Sequence, residues 1–114
     1  MVTAMQNHAE DVGVQGNASW VLGELAKAEE LRADIAAAGA IPAVVTAMQN
    51  QPESAGLQVC ACEAFAELAQ QQVLREAIAA SGAIAAVRSA KQHHPGEAEV
   101  QDWAGRLLAV CDGE

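Results

Sequence analysis

Aromatic residues are the scarcest group in this sequence, which has one Phe, two Trp and no Tyr among 114 residues. The hydrophobic content is nevertheless 52%, a value that excludes a disordered chain. A core must therefore be built from Ala, Leu, Ile and Val, whose small or compact side chains let helices approach closely. The length is that of one ordinary domain.

Basic residues are also few: six Lys and Arg stand against fifteen Asp and Glu, giving a net charge of −9. Proteins that bind DNA or RNA need clustered Lys and Arg side chains to neutralise phosphates. Nucleic-acid binding is therefore not expected. A protein or peptide partner that carries Lys or Arg fits the charge better.

Long apolar runs and targeting signals are missing as well. The longest run, residues 35–45, is interrupted by Gly39 and Pro42 and is too short to span a bilayer. Residues 1–15 contain acids and a histidine in place of the basic start and apolar block of a signal peptide. We expect no membrane insertion and an intracellular location, cytoplasmic or nuclear, with an organelle as a further alternative.

Residues that could support chemistry do not form a recognisable set. Cys60 and Cys62 are two positions apart on a predicted helix and do not face each other, and the distant Cys111 adds no zinc or redox spacing. Free, buried thiols are the favoured interpretation. The side chains of the adjacent residues His93 and His94 are expected to diverge, and they lack a nearby Cys or a carboxylate at the sequence spacing of a metal site. We predict a non-enzyme that has no metal site and no cofactor.

A phrase repeated at a fixed spacing is what the sequence does contain. Val-Thr-Ala-Met-Gln-Asn occurs at Val2 and again at Val45, which is 43 residues later, and residues 88–93 form a diverged third copy. Residues 2–44 match residues 45–87 at roughly half of the positions without a gap. A period of this length is typical of stacked repeat proteins. We expect the divisions 1–26 (a partial repeat), 27–69 (a full repeat) and 70–114 (the final repeat).

Apolar residues recur at three- and four-residue spacing within each period, as in amphipathic helices. Gly39 and Gly82 stand where helices need a left-handed C-cap. The predicted helices cover residues 2–7, 9–26, 29–38, 42–50, 52–70, 72–80, 83–93 and 96–111. The residues predicted to point inward on the first two long helices are Val14, Ala18, Val21, Leu22 and Leu25, then Leu57, Ala61, Ala64, Phe65 and Leu68.

The unit of short, medium and long helix resembles the armadillo repeat. The resemblance rests on the segment 39–44, Gly-Ala-Ile-Pro-Ala-Val, and on the long-helix positions Val14-Gln15, Ala18, Val21-Leu22 and Leu25-Ala26. One period later the matching residues are Gly82-Ala83-Ile84, then Leu57-Gln58, Ala61, Ala64-Phe65 and Leu68-Ala69. HEAT repeats are the near alternative, but they usually lack the short first helix and its glycine corner. The resemblance implies an all-α fold, an α-solenoid wound as a right-handed superhelix.

Armadillo solenoids present their long helices along a concave binding surface, so the resemblance implies a groove on the long helices. With the apolar side turned inward, three residues of each long helix face that groove. The groove residues are Asn17, Trp20 and Glu24, then Cys60, Glu63 and Glu67, then Trp103, Arg106 and Val110.

The groove departs from related groove binders at one position. Trp20 stands where they carry a tryptophan, four residues before an asparagine that clamps the peptide backbone, but Glu24 occupies the asparagine position here. A nuclear-import role is therefore not expected. The hypothesis is an apolar platform at Trp20 beside carboxylates that attract a basic segment. The alternatives are that the glutamates are merely solvated, that Arg106 pairs with Glu63, and that the tryptophans serve packing.

A structural subunit of a larger assembly is the second hypothesis for function. Repeat stacks usually need about three units, and this chain begins part-way through one. Its ends are therefore expected to be covered by partner chains or by a second copy. Under this hypothesis the sensitive apolar residues are those near Met5 and Val12 and, in the last helix, Leu107 and Leu108.

Overall fold

The computed structural model describes residues 2–112 of the chain, and this part is all-α, as predicted. Its radius of gyration is 12.4 Å and its principal extents are 34 × 32 × 21 Å, the dimensions of a compact body. The helices are α1 (Val2–Asn7), α2 (Val12–Ala26), α3 (Glu29–Ala37), α4 (Ala40–Asn50), α5 (Ala55–Leu68), α6 (Gln72–Ala80), α7 (Ala83–His93) and α8 (Ala98–Asp112).

The long helices begin two or three residues later than predicted. Asp11 has an extended backbone and its Oδ1 accepts a hydrogen bond from the Val14 N–H at 3.2 Å, which caps α2. Ser54 does the same for α5, where its Oγ accepts from the Leu57 N–H at 3.3 Å. Because an N-cap residue lies outside the helix, these two side chains set the first turns.

Two glycine corners separate the short helices from the medium ones. Gly39 has φ of +90° and Gly82 has φ of +87°, the left-handed conformation that was predicted for both. Side chains with a Cβ rarely adopt this conformation. α3 and α4 meet at an angle of 71° across the first corner. Pro42 lies in the first turn of α4, where its missing N–H leaves no intrahelical bond unmade.

Helices that are one period apart pack against each other. α5 lies between α2 and α8, and α4 lies between α1 and α7. A Cβ added to Gly23 of α2 would stand 3.5 Å from the Cα of Ala64 on α5, so these two backbones approach closely. Phe65, the single phenylalanine, is fully buried in the aliphatic core. Small residues therefore set the spacing of the long helices.

A glutamine recurs at the start of each long helix and ties it to the preceding medium helix; it is buried in α2 and α5 and partly buried in α8. In each case the side-chain Nε2 donates to two carbonyls at the end of the medium helix, which have no partner within that helix. The three sets are Gln15 to Met5 O (2.9 Å) and His8 O (2.7 Å), Gln58 to Met48 O (3.3 Å) and Gln51 O (3.1 Å), and Gln101 to Lys91 O (3.1 Å) and His94 O (3.0 Å).

An arginine on each of the short helices α3 and α6 contacts the end of the preceding long helix in a similarly repeated way. Arg32 is buried, and its Nε donates to the carbonyl of Ala26 at 2.6 Å, while Arg75 donates to the carbonyl of Ala69. A cation suits the partial negative charge of a helix C-terminus. The equivalent contacts in successive periods show that the sequence repeat is also a repeat of interactions.

The inward-facing prediction fails at Leu25. Leu68, its equivalent one period later, is 2% exposed, but Leu25 is 40% exposed, and Val14 and Val21 are partly exposed. α5 has a long helix on each side, whereas α2 has one on a single side within residues 2–112. The remaining predicted inward residues are Ala18, Leu22, Leu57, Ala61, Ala64, Phe65 and Leu68, and all are buried.

No single helix within residues 2–112 is both long and apolar enough to cross a membrane. Only α3 and α4 taken together reach the required length and hydropathy, and they are bent at 71°.

Candidate functional site

The nine predicted groove residues lie on α2, α5 and α8, which stack in that order. None of them is buried, so the side predicted to face a groove is accessible to solvent. Trp20 is 53% exposed and Val110 is 47% exposed, both large values for such apolar side chains. We use the name groove face for these nine residues: Asn17, Trp20, Glu24, Cys60, Glu63, Glu67, Trp103, Arg106 and Val110.

Two of the groove-face glutamates are joined by a lysine that the sequence analysis did not include. Lys27 Nζ lies 3.0 Å from Glu24 Oε1 on the same stretch of chain and 3.9 Å from Glu63 Oε2 on α5. Hydrogen bonding to Glu24 and the charges of Glu24, Glu63 and Glu67 raise the pKa of Lys27. The ammonium group is therefore held charged between carboxylates of neighbouring long helices.

Glu63 is the least accessible of these carboxylates, with a side chain that is 16% exposed. Burial raises its pKa, the Lys27 charge opposes that rise, and the charges of Glu24, Glu67 and Glu99 add to it. Mutual repulsion of this kind requires the carboxylates to lie near one another. The structure therefore brings four acidic side chains together around the middle of the groove face.

The same pair of positions one period later carries no cation. Gln70 takes the place of Lys27, and its Nε2 donates to Glu67 Oε1 at 3.4 Å. Both contacts join residues three apart at the end of a long helix. An amide leaves the formal charge of Glu67 unneutralised, whereas Lys27 offsets that of Glu24.

Trp103 and Arg106 form a pair of their own on α8. The Arg106 guanidinium carbon lies 4.7 Å from the centroid of the Trp103 ring, within the range of a cation–π contact. The alternative prediction, in which Arg106 pairs with Glu63, is wrong, because the cation beside Glu63 is Lys27. Trp103 is partly buried against the core, while Trp20 presents an open ring.

Two groove-face residues outside these clusters, Asn17 and Val110, are exposed to solvent. Cys60 lies close enough to Glu63 and Glu99 for both charges to raise its pKa, although burial is the larger cause. The structure therefore brings together the glutamates and, separately, Trp103 and Arg106.

The cysteines fit the predicted role of free thiols only in part. Cys60 and Cys62 are free thiols, and Cys62 alone of the three cysteines is fully buried, while Cys60 and Cys111 are partly exposed. Burial raises the pKa of the Cys62 thiol to about 12, so this group stays protonated at neutral pH. A thiol is a poor nucleophile in that state.

The adjacent histidines point to different partners. His93 Nδ1 lies 2.9 Å from the carbonyl oxygen of Ser89 on its own helix, while His94 Nε2 lies 2.8 Å from the carbonyl oxygen of Pro52 one period earlier. Gln51, at the position equivalent to His94, likewise donates to the carbonyl of Ala9, so this corner position joins successive periods. Over the described part of the chain, no three His, Cys, Asp or Glu side chains are grouped to hold a metal ion.

The residues that sequence reasoning missed are Lys27 and Glu99. Lys27 follows Glu24 by three positions, the spacing at which helical neighbours meet, and this signal could have identified it. Glu99 has glycines at its equivalent positions, Gly56 and Gly13, so the repeat offers no indication of its location.

Comparison with known proteins yields no relative: no family model, no curated protein and no solved structure matches this chain.

Proposed function

We propose that this protein is a non-catalytic binding module, an armadillo-type α-solenoid whose groove face takes an extended protein segment that carries Lys or Arg. The order of short, medium and long helix, seen in α3–α5 and again in α6–α8, supports the architecture. So do the repeated glutamine and arginine caps and the stacking of α2, α5 and α8. The charge and the exposure of the groove-face side chains support a ligand that carries Lys or Arg.

One observation carries the choice of a basic ligand: an ammonium group already sits among the groove-face carboxylates. Lys27 Nζ is within 4.0 Å of both Glu24 and Glu63, which belong to successive periods. The spacing between neighbouring long helices therefore suits one cation between two carboxylates. A Lys or Arg side chain from another protein can make the same contacts.

Trp20 supplies the apolar part of the proposed site. Its ring is 53% exposed on the long helix that also carries Glu24. The Arg106 side chain over Trp103 is an internal example of the contact that a ligand cation would make with an open indole. Such contacts contribute about 0.5–1 kcal/mol at exposed sites.

Several weak contacts must act together for useful affinity. A solvent-exposed ion pair contributes about 0–1 kcal/mol, so a single glutamate would not hold a peptide. An extended ligand that crosses two or three long helices can engage Glu24, Glu63 and Glu67 at once. The prediction is therefore a modest affinity that falls steeply as salt is added.

Binding of a fluorescein-labelled oligolysine, measured by fluorescence anisotropy at several salt concentrations, tests the proposal. The test variant replaces Glu24, Glu63 and Glu67 with glutamine. The matched control replaces three exposed glutamates elsewhere, Glu10, Glu53 and Glu76, and so changes the net charge equally.

We expect the test variant to lose most of the affinity and the salt dependence, and the control to keep most of both. Equal losses in the two variants would show that only the net charge of −9 attracts the probe, and the groove proposal would then be wrong. An oligoglutamate probe should bind neither protein.

A structural subunit is the second candidate, and an apolar recess favours it. The recess has a volume of about 340 Å³ and lies between α1, α2 and α3. Leu22, Leu25, Leu31 and Ile35 line it. Of the residues predicted to be sensitive under this hypothesis, Met5, Leu107 and Leu108 are buried, whereas Val12 is 48% exposed. Light scattering after size exclusion tests self-association: a Leu25→Glu change should abolish any oligomer that uses the recess, and an unchanged monomer would argue against a second copy as the partner.

A further inference from the structure

Lys27 lies beside the groove face and forms ion pairs with two of the carboxylates that a basic ligand would need, Glu24 and Glu63. It is the residue that follows α2, and its side chain is 51% exposed. Four aliphatic carbons connect the ammonium group to the backbone, so it can swing into solvent without any movement of the helix. The contact is therefore one that a ligand can displace.

The equivalent position one period later shows what the face is like without this lysine. Gln70 hydrogen-bonds to Glu67 as Lys27 does to Glu24, but the glutamine side chain is neutral. The C-terminal ends of α2 and α5 therefore make equivalent contacts, and they differ by one charge. Among the described residues Glu67 makes no ion pair, although the Lys27 charge reaches it, while Glu24 is already paired at 3.0 Å.

We infer that Lys27 is an internal competitor for the proposed ligand, which occupies Glu24 and Glu63 in the unbound protein and leaves Glu67 as the first anchor for a ligand cation. This inference rests on the proposed function of the groove face. A ligand cation that reaches Glu24 must replace Lys27, so it exchanges one ion pair for another and gains little there. A cation that reaches Glu67 replaces only a neutral hydrogen bond.

The reciprocal changes Lys27→Gln and Gln70→Lys test the inference, because each residue is replaced by its natural equivalent. Affinity for the labelled oligolysine is measured by anisotropy, with circular dichroism to check that each variant is folded. Removing the competitor should tighten binding by about two- to fivefold, the range of an exposed ion pair. Placing a lysine beside Glu67 should weaken binding by a similar factor.

A control separates competition from net charge. Lys91→Gln makes the same change in charge on α7, at a residue whose side chain is not part of the groove face. It should alter the affinity much less than Lys27→Gln does. A third variant, Lys27→Arg, keeps a cation at the same place and should bind as the wild type does.

The outcomes distinguish the inference from the function on which it rests. If the wild type binds oligolysine through the three glutamates but Lys27→Gln and Lys91→Gln tighten binding equally, Lys27 is not a competitor and the groove proposal stands. If Gln70→Lys leaves the affinity unchanged, Glu67 is not the first anchor. If neither the wild type nor Lys27→Gln binds the probe, both proposals are wrong.

Discussion

Leu25 and Leu68 occupy the same position one period apart, yet Leu25 is 40% exposed and Leu68 is 2% exposed. Each stands next to an alanine that is also the same in both periods, Ala26 and Ala69. What differs is the surroundings, because α5 is enclosed by α2 and α8 while α2 has a single long helix beside it among the described residues. The same local sequence therefore forms a helix in both periods, but the neighbouring helices determine how far the leucine side chain is buried.

The charged residues give a second contrast at the same place in the repeat. Glu24 is paired with Lys27, and Glu67 is hydrogen-bonded to Gln70. In this case the side chain that contacts the glutamate has changed as well, from a lysine to a neutral glutamine. The contacts that build the fold thus repeat in each period, while exposed positions such as Lys27 and Gln70 differ in charge.

The leucine contrast predicts the largest effect. Leu68→Ala should lower the free energy of unfolding by about 2–5 kcal/mol, because it leaves a cavity in an enclosed core. Leu25→Ala should cost less than about 1 kcal/mol, since solvent already reaches that side chain. Urea denaturation of both variants checks this, and equal costs would contradict the assignment of α2 to an edge.

The buried glutamines should behave alike in the two periods. Gln15 and Gln58 are each 2% exposed, and each donates to two carbonyls. Replacing either by leucine removes two hydrogen bonds and leaves the carbonyl of Met5 or of Met48 without a donor, at a cost of about 1–3 kcal/mol in unfolding free energy. A large loss at one position and none at the other would show that the contacts are not equivalent.

Ser19 on α2 and Cys62 on α5 occupy equivalent positions one period apart. A smaller change in stability is expected from a substitution at Ser19. Both residues are fully buried, and within residues 2–112 the Ser19 hydroxyl has no hydrogen-bond partner. Ser19→Ala should therefore raise the thermal midpoint slightly, by removing a buried polar group that costs about 1–3 kcal/mol to leave unsatisfied. A marked loss of stability would mean that the hydroxyl has a partner in solution.

The pH dependence of binding is the smallest predicted effect. Because burial raises the pKa of Glu63, this carboxyl takes up a proton at a higher pH than an ordinary glutamate. Oligolysine binding should therefore weaken on acidification as Glu63 takes up its proton, and recover as the pH rises. The Glu63→Gln variant should lack this early step, and an identical pH profile would exclude Glu63 from the site.

Much of the fold followed from periodicity, because a three- and four-residue apolar spacing repeated without a gap allows few arrangements. Gly39 and Gly82 were placed correctly, since few other residues fit a left-handed corner. Burial of Leu25 was predicted wrongly, because one-dimensional spacing does not report which helix stands beside it. The pairing of Lys27 with Glu63 depends on the distance between two helices, which the repeat alone does not provide.

A side-by-side titration of oligolysine into Glu24→Gln and Glu67→Gln tests the central claim most directly. The two residues are equivalent in sequence, helix position and type, and they differ in whether a lysine already neutralises them. The account predicts that Glu67→Gln loses clearly more affinity than Glu24→Gln. Equal losses, or a larger loss for Glu24→Gln, would contradict it.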